Sequence, residues 1–144
     1  MSAHRIDVLA SGVAGLVDRV NPRHISRTGL LAAVMALDAA SVRTEGPVTD
    51  ALSCWRNGRP LSPAQKLAIA SLRGRFDAAA FAASHAGRSA EYRTEFARAR
   101  ALAAVEFGTA GAGREGLRDV VCEAVAAMGS TSLVANLLRD HVGD

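Results

Sequence analysis

Histidine and cysteine, the residue types that most often serve as general bases, nucleophiles or metal ligands, are scattered along this chain. The four histidines and two cysteines are His4, His24, His85, His141, Cys54 and Cys122. None stands at ligand spacing from another, and the sequence has no HExxH motif, no paired carboxylates and no nucleophile motif. It therefore predicts no catalytic residues, no metal site and no cofactor, although an active site assembled from distant residues stays open.

The glycine-rich stretch 111–116 fits the pattern GxGxxG, whose backbone amides can hold a pyrophosphate at the start of a helix. That function needs a strand before the loop and a second strand–helix unit after it. Here a helical pattern precedes Gly111, and too little chain follows Gly116. We therefore interpret the stretch as an interhelix loop, with a lone anion at the start of the next helix as the alternative.

Residues 46–58 carry the local pattern that most suggests a binding activity. A glycine is followed at fixed distances by an apolar residue, a serine, an aromatic residue and a closing Asn-Gly pair. These residues are Gly46, Leu52, Ser53, Trp55, Asn57 and Gly58. Their spacing resembles the second half of the helix-turn-helix of the phage-repressor (Xre or Cro-like) family.

The resemblance implies a DNA-binding regulator whose short helix exposes polar side chains toward base edges and phosphates. Its contacts would be Thr49, Ser53, Arg56 and Arg59. The positions around the turn depart from the family pattern, because Glu45 stands where an apolar residue is usual and Pro47 occupies the start of the recognition helix. The alternative interpretation is that Trp55 fills the core and Asn57-Gly58 only ends a helix.

Asp38 is the anomaly of an otherwise apolar helical segment. It lies on one helical row with Val34 and Val42. A buried carboxylate there would be an acid of perturbed pKa or a site for a partner arginine. The alternative is a hydrogen-bonded or half-exposed aspartate at the edge of the helix.

Composition favours an all-α protein. The 144 residues are 49% hydrophobic with a net charge of +3, and β-branched residues never run together for long. No segment alternates apolar and polar residues as a half-buried strand does. Lys66 is the only lysine, so the positive charge is nearly all arginine, which reflects either a bacterial-type, GC-rich coding sequence or a surface for phosphates and carboxylates.

Apolar periodicity and capping signals predict six or seven helices in a single compact bundle, one domain over residues 1–144. The clearest start is Ser62-Pro63-Ala64-Gln65, which fits a capping box with proline at the first helical position. The helices are predicted at 3–20, about 27–44, 49–57, 62 to about 86, 89 to about 107, 114–128, and from 130 or 131 onward. The second appears apolar over most of its circumference, which predicts a central, nearly buried helix.

The longest apolar run, Leu30 to Leu37, is too short to span a bilayer, and the sequence shows no signal-peptide cleavage pattern. Two distant cysteines without a CxxC motif favour a reduced, cytoplasmic protein. We expect no membrane association. The leading functional hypothesis is a small non-catalytic interaction or regulatory module that self-associates or binds a protein partner through helix surfaces. The alternative is the DNA-binding regulator.

Overall fold

The computed structural model describes residues 11–111 and 113–143 and confirms the all-α prediction. Seven α-helices pack as a compact bundle, and the described residues form no strand, only one isolated β-bridge between Val20 and Val142. The helices are α1 (Ser11–Arg19), α2 (Ile25–Ala39), α3 (Pro47–Arg56), α4 (Pro63–His85), α5 (Ser89–Thr109), α6 (Gly113–Met128) and α7 (Ser132–Asp140). A short 3-10 turn, Pro22–His24, precedes α2.

The most buried helix is α6, and the prediction that the second helix would be nearly buried is wrong. In α6 every residue from Val120 to Val125 is buried, and the helix packs against both α2 and α5. In α2 the buried side carries Leu37 and otherwise small residues, while Leu31 and Val34 are 38% and 37% exposed. Hydrophobicity alone did not distinguish the two helices, because α2 keeps two large apolar residues on its outer side.

The capping box that opens α4 is confirmed. The Ser62 hydroxyl accepts a hydrogen bond from the Gln65 backbone N–H at 3.1 Å, and the Gln65 side chain accepts one from the Ser62 N–H at 2.9 Å. Two backbone donors at the helix start are thereby satisfied. This start directs the 23-residue helix α4 along the bundle, where it pairs with α5 through a short turn at Gly87.

Other helix boundaries differ from the prediction by a few residues. Residues 3–10 of the first predicted helix lie outside the described residues. Helix α2 ends at Ala39 rather than near 44, because Ser41 adopts a positive φ of 58° that breaks the helical path. Helix α3 begins at Pro47 after Gly46, which also has a positive φ, so Thr49 is not its cap. None of the helices formed by the described residues has the length and apolar character needed to cross a bilayer.

Candidate functional site

The four residues predicted as partner or nucleic-acid contacts lie on or beside one side of α3. Thr49, Ser53 and Arg56 follow each other at helical spacings of four and three, so they share a face. Thr49 and Arg56 are exposed, Ser53 is half-buried, and Arg59 follows the helix as an exposed residue. Ser53 and Arg59 also line one shallow cleft. The structure therefore brings these side chains together on a surface that a partner can reach.

The approach to α3 differs from that of a helix-turn-helix. The turn of that motif has about three or four residues, whereas here α2 ends at Ala39 and α3 begins only at Pro47. The intervening residues include Ser41 and Gly46, both with positive φ. This connection lets α3 lie against α4 and α5 as well as α2.

Trp55 belongs to the core, as the alternative interpretation of residues 46–58 predicted. Its side chain is 7% exposed, and its Nε1–H donates to the Ser26 hydroxyl at 3.2 Å. Two glycines make room for the ring: a Cβ on Gly29 would lie 3.1 Å from Trp55 Cζ2, and one on Gly108 would overlap the ring itself. The indole therefore joins α3 to α2 and α5.

Asp38 is exposed, so the hypothesis of a buried carboxylate is wrong. The buried side of α2 carries Ala32, Ala33, Ala36 and Leu37. Asp38 belongs to the row of Leu31 and Val34, which faces outward. Its polarity is explained by this position, one residue before the end of the helix, and requires no partner arginine.

The glycine-rich stretch 111–116 connects α5 to α6. Gly111 and Gly113 adopt positive φ values of 70° and 60°, and Gly116 is buried within α6. A helix, not a strand, precedes the stretch, as expected, but the residues from Gly113 onward belong to α6 rather than to an interhelix loop. The neighbouring Arg114 guanidinium donates to the carbonyls of Val17 and Val20 at 2.8 and 3.0 Å, so it caps the end of α1.

Two of the scattered histidines come together in space. The rings of His24 and His141 meet edge to face with their centres 5.7 Å apart, and His141 Nδ1 lies 3.0 Å from the Leu137 carbonyl oxygen. His85 packs instead on Phe81, with ring centres 4.4 Å apart. Within the described ranges, no three His, Cys, Asp or Glu side chains form a group that could hold a metal ion.

A five-membered ion-pair network, not predicted from the sequence, joins α4, α5 and α6. Its members are Arg73, Asp77, Arg100, Glu106 and Glu123. Arg100 contacts Glu123 and Asp77, each at 3.1 Å, and Arg73 contacts Asp77 at 3.0 Å and also Glu106. Glu123 is only 2% exposed although it lies between Cys122 and Ala124 in the most buried helix. A charged residue inside an apolar helical run was the one sequence signal that could have revealed the network.

The network occupies the wall of a cleft of about 340 Å³ that Ala103 and Phe107 also line. Each of its five side chains is ion-paired with another member, which favours a role in fixing the three helices. The hydrogen bond from Arg73 to Glu106 raises the pKa of Arg73 above its ordinary value, so the guanidinium stays charged. Arg73 therefore contributes a fixed positive charge to the network.

The outer face of α4 is the most exposed apolar feature of the described bundle. Leu67 and Phe81 are each 67% exposed. Between them on the same helical row lie Ser71, Gly74 and Ala78, all exposed and all small. The row therefore places three small exposed residues between two large exposed apolar side chains.

The distal half of the α4–α5 hairpin stands apart from the main core. Its buried residues are Ala80 and Ala83 on α4 and Ala99 on α5, and none of them belongs to the hydrophobic cluster that holds the other helices, although Ala97 packs against that cluster. Tyr92 and Phe96 stack on each other along α5, with ring centres 5.7 Å apart. The hairpin therefore projects as a two-helix arm that carries Phe81 on its surface.

No protein-family model, no curated protein and no solved structure matches this chain.

Proposed function

We propose that the protein is a small non-catalytic interaction or regulatory module that acts through protein–protein contacts on the outer face of α4. The observation that carries the proposal is the pair Leu67 and Phe81, both 67% exposed on one face of a 23-residue helix. Large apolar residues on one row of a long helix are typical of surfaces that another helix covers.

The spacing of this row supports a helical partner. Leu67, Ser71, Gly74, Ala78 and Phe81 follow each other at steps of four, three, four and three residues. That alternation averages the 3.5 residues of a coiled-coil seam, in which one helix packs lengthwise on another. At about 1.5 Å per residue the row is about 21 Å long.

Gly74 supports close approach of that helix. A glycine within a helix costs about 0.5–1 kcal/mol relative to alanine. Internal packing does not account for it, since a Cβ at Gly74 would meet no atom within 4 Å. Small residues at a helix contact let two backbones come near each other, which fits Ser71 and Ala78 on either side.

The occupant we propose is a second copy of this chain in antiparallel orientation. Leu67 and Phe81 lie equally far before and after Gly74 along the row, so a twofold axis beside Gly74 brings Leu67 against Phe81 of the partner subunit. Such a contact is self-complementary, as a closed twofold dimer requires. It would cover both exposed side chains and the small residues between them.

Analytical ultracentrifugation from low to high micromolar protein tests the proposal. We expect the weight-average mass to rise from monomer toward dimer with concentration. Leu67→Glu and Phe81→Glu should each hold the protein as a monomer, because they place a carboxylate in the contact. Leu133→Glu is the matched control, since Leu133 is 54% exposed on α7. A monomer at every concentration, or equal effects of all three substitutions, contradicts self-association through α4.

The second candidate is DNA binding through residues 46–58, favoured by the shared exposed face of Thr49, Ser53 and Arg56 with Arg59 beside it. Fluorescence anisotropy of a labelled random duplex, at low and at physiological salt, tests it. A DNA binder loses affinity steeply as salt rises, because phosphate contacts release counterions. Arg56→Ala should weaken that binding, whereas Arg93→Ala on α5 should not. Absence of binding at low salt would remove this candidate.

A further inference from the structure

A cleft of about 660 Å³ opens where the α2–α3 connection passes over α4 and α5. Its volume falls within the range of small-molecule sites. Three arginines line it, one from each of these parts: Arg43 from the connection, Arg75 from α4 and Arg98 from α5. The only acidic residue in the lining is Glu45, so the lining side chains carry a net positive charge.

Arg98 is held in place from two directions. Its Nε donates to the Ala40 carbonyl oxygen at 3.2 Å, and its Nη1 lies 3.3 Å from Glu95. Its guanidinium carbon also lies 5.9 Å from the centre of the Phe76 ring. No described residue hydrogen-bonds its Nη2, which leaves a donor in the cleft whose position is already fixed. Such preorganisation reduces the ordering cost of binding an anion.

Arg43 and Arg75 are the adaptable part of the lining. Both are exposed, and neither forms an ion pair with a described residue. A guanidinium forms two parallel hydrogen bonds with a carboxylate or a phosphate, and these are stronger than bonds between neutral groups. Two exposed arginines without an ion pair to a described residue, beside a third that is held in place, can therefore bind a single anionic group together.

The rest of the cleft is apolar. Val48 is buried, and Leu72 and Phe76 are half-buried residues that pack against the core. A purely inorganic anion would leave this surface in contact with water. An anionic group attached to a short apolar body would instead satisfy the arginines and cover Leu72 and Phe76 together.

We infer that this cleft binds a small amphipathic organic anion, a carboxylate or phosphate monoester on a short apolar chain, held by Arg43, Arg75 and Arg98 over Leu72 and Phe76. The inference does not rest on self-association through α4. The cleft contains Leu72 and Phe76, which lie on a different side of α4 from the row between Leu67 and Phe81. A carboxylate and a phosphate monoester present the same oxygen acceptors to the arginines, and the experiment separates them.

The test is a titration of the ¹⁵N-labelled protein, followed by NMR, with decanoate and decyl phosphate below their micelle concentrations. Saturable shifts are expected for the backbone amides of residues 41–46, 48 and 72–76, and the ligand that binds more tightly identifies the anionic group. Decanol has the same chain without charge, and inorganic phosphate has charge without the chain. The affinity for each should be lower by a factor of about ten or more.

The double variant Arg43→Gln with Arg75→Gln should weaken binding of the preferred anion by about tenfold or more, since each lost guanidinium removes charged hydrogen bonds. Arg27→Gln with Arg93→Gln is the control, because it removes the same charge from exposed positions outside the cleft. The inference is overturned by absence of saturable shifts, by equal affinity for decanol and decanoate, or by equal weakening in the two double variants. Thermal unfolding confirms that each variant is folded.

Discussion

Nη1 of Arg100 on α5 lies 3.1 Å from the carboxylate of Glu123 on α6, a side chain that is 2% exposed within the most buried helix. The same guanidinium reaches Asp77 on α4, so one arginine ties three helices together. A buried carboxylate is tolerated only where a cation and hydrogen bonds replace its lost hydration. Arg100 therefore supplies a cation that a buried glutamate in this helix needs.

Removing Arg100 is expected to destabilise the fold strongly. Arg100→Met keeps much of the side-chain volume but takes the cation from Glu123 and Asp77, and breaking a buried pair costs about 3–5 kcal/mol. Urea unfolding followed by circular dichroism measures the change in the free energy of unfolding. The double variant Arg100→Met with Glu123→Met should recover a large part of the loss. A single variant within about 1 kcal/mol of the parent would show that the ion pair does not matter for stability.

Gly108→Ala should destabilise the protein because its Cβ would overlap the Trp55 ring. Overpacking of this kind costs about 1–3 kcal/mol. Thermal unfolding by circular dichroism should show a lowered midpoint. The matched background is Trp55→Phe, whose smaller ring frees the overlapping atoms, so the additional cost of Gly108→Ala should be smaller there. Equal costs in the two backgrounds would mean that the indole is not the obstacle.

Gly74→Ala is expected to have two effects of opposite sign. In dilute, monomeric protein it should raise the free energy of unfolding by about 0.5–1 kcal/mol, because the position is helical and open to solvent. In concentrated protein it should weaken self-association, since a methyl group separates the two helices at the proposed axis. Urea unfolding and analytical ultracentrifugation measure the two effects. A gain in stability without any change in association would argue against an axis at Gly74.

Ser62→Ala should lower the free energy of unfolding by about 1 kcal/mol, the usual value of an N-terminal cap. The hydroxyl it removes accepts the Gln65 N–H at 3.1 Å. Ser84→Ala, an exposed serine near the other end of α4, is the control and should leave stability nearly unchanged. Urea unfolding of the three proteins decides the matter, and equal midpoints would show that the cap is dispensable.

Local interactions could be predicted from the sequence because their partners are a few residues apart. The capping box at Ser62 is confirmed. Glu95 and Arg98, which pair across one turn of α5 at 3.3 Å, are likewise only three residues apart. The glycine after α3, Gly58, has the positive φ expected of a helix end. The burial of Trp55 also followed from its place on the apolar row of a short helix.

Interactions between helices could not be predicted, because they depend on how each helix is rotated against its neighbours. Arg100 turns toward α4 and α6, where Asp77 and Glu123 are, and nothing in the local sequence indicates these partners. The outward rotation of α2 exposes Asp38 and Leu31 for the same reason. The basic cleft could not be predicted from the sequence either, because Arg43, Arg75 and Arg98 come from three separate parts of the chain.

The long-range contacts of Trp55 have a consequence for the kinetics of folding. The indole bonds to Ser26, 29 positions earlier in the chain, and fits a notch at Gly108 in the second half. Helices form within about a microsecond, whereas contacts between distant segments need slow closure of long loops. Since this is the only tryptophan, its fluorescence in stopped-flow refolding should lag behind the far-ultraviolet signal. The delay between the two signals would measure the time between helix formation and the packing of α2, α3 and α5 around Trp55.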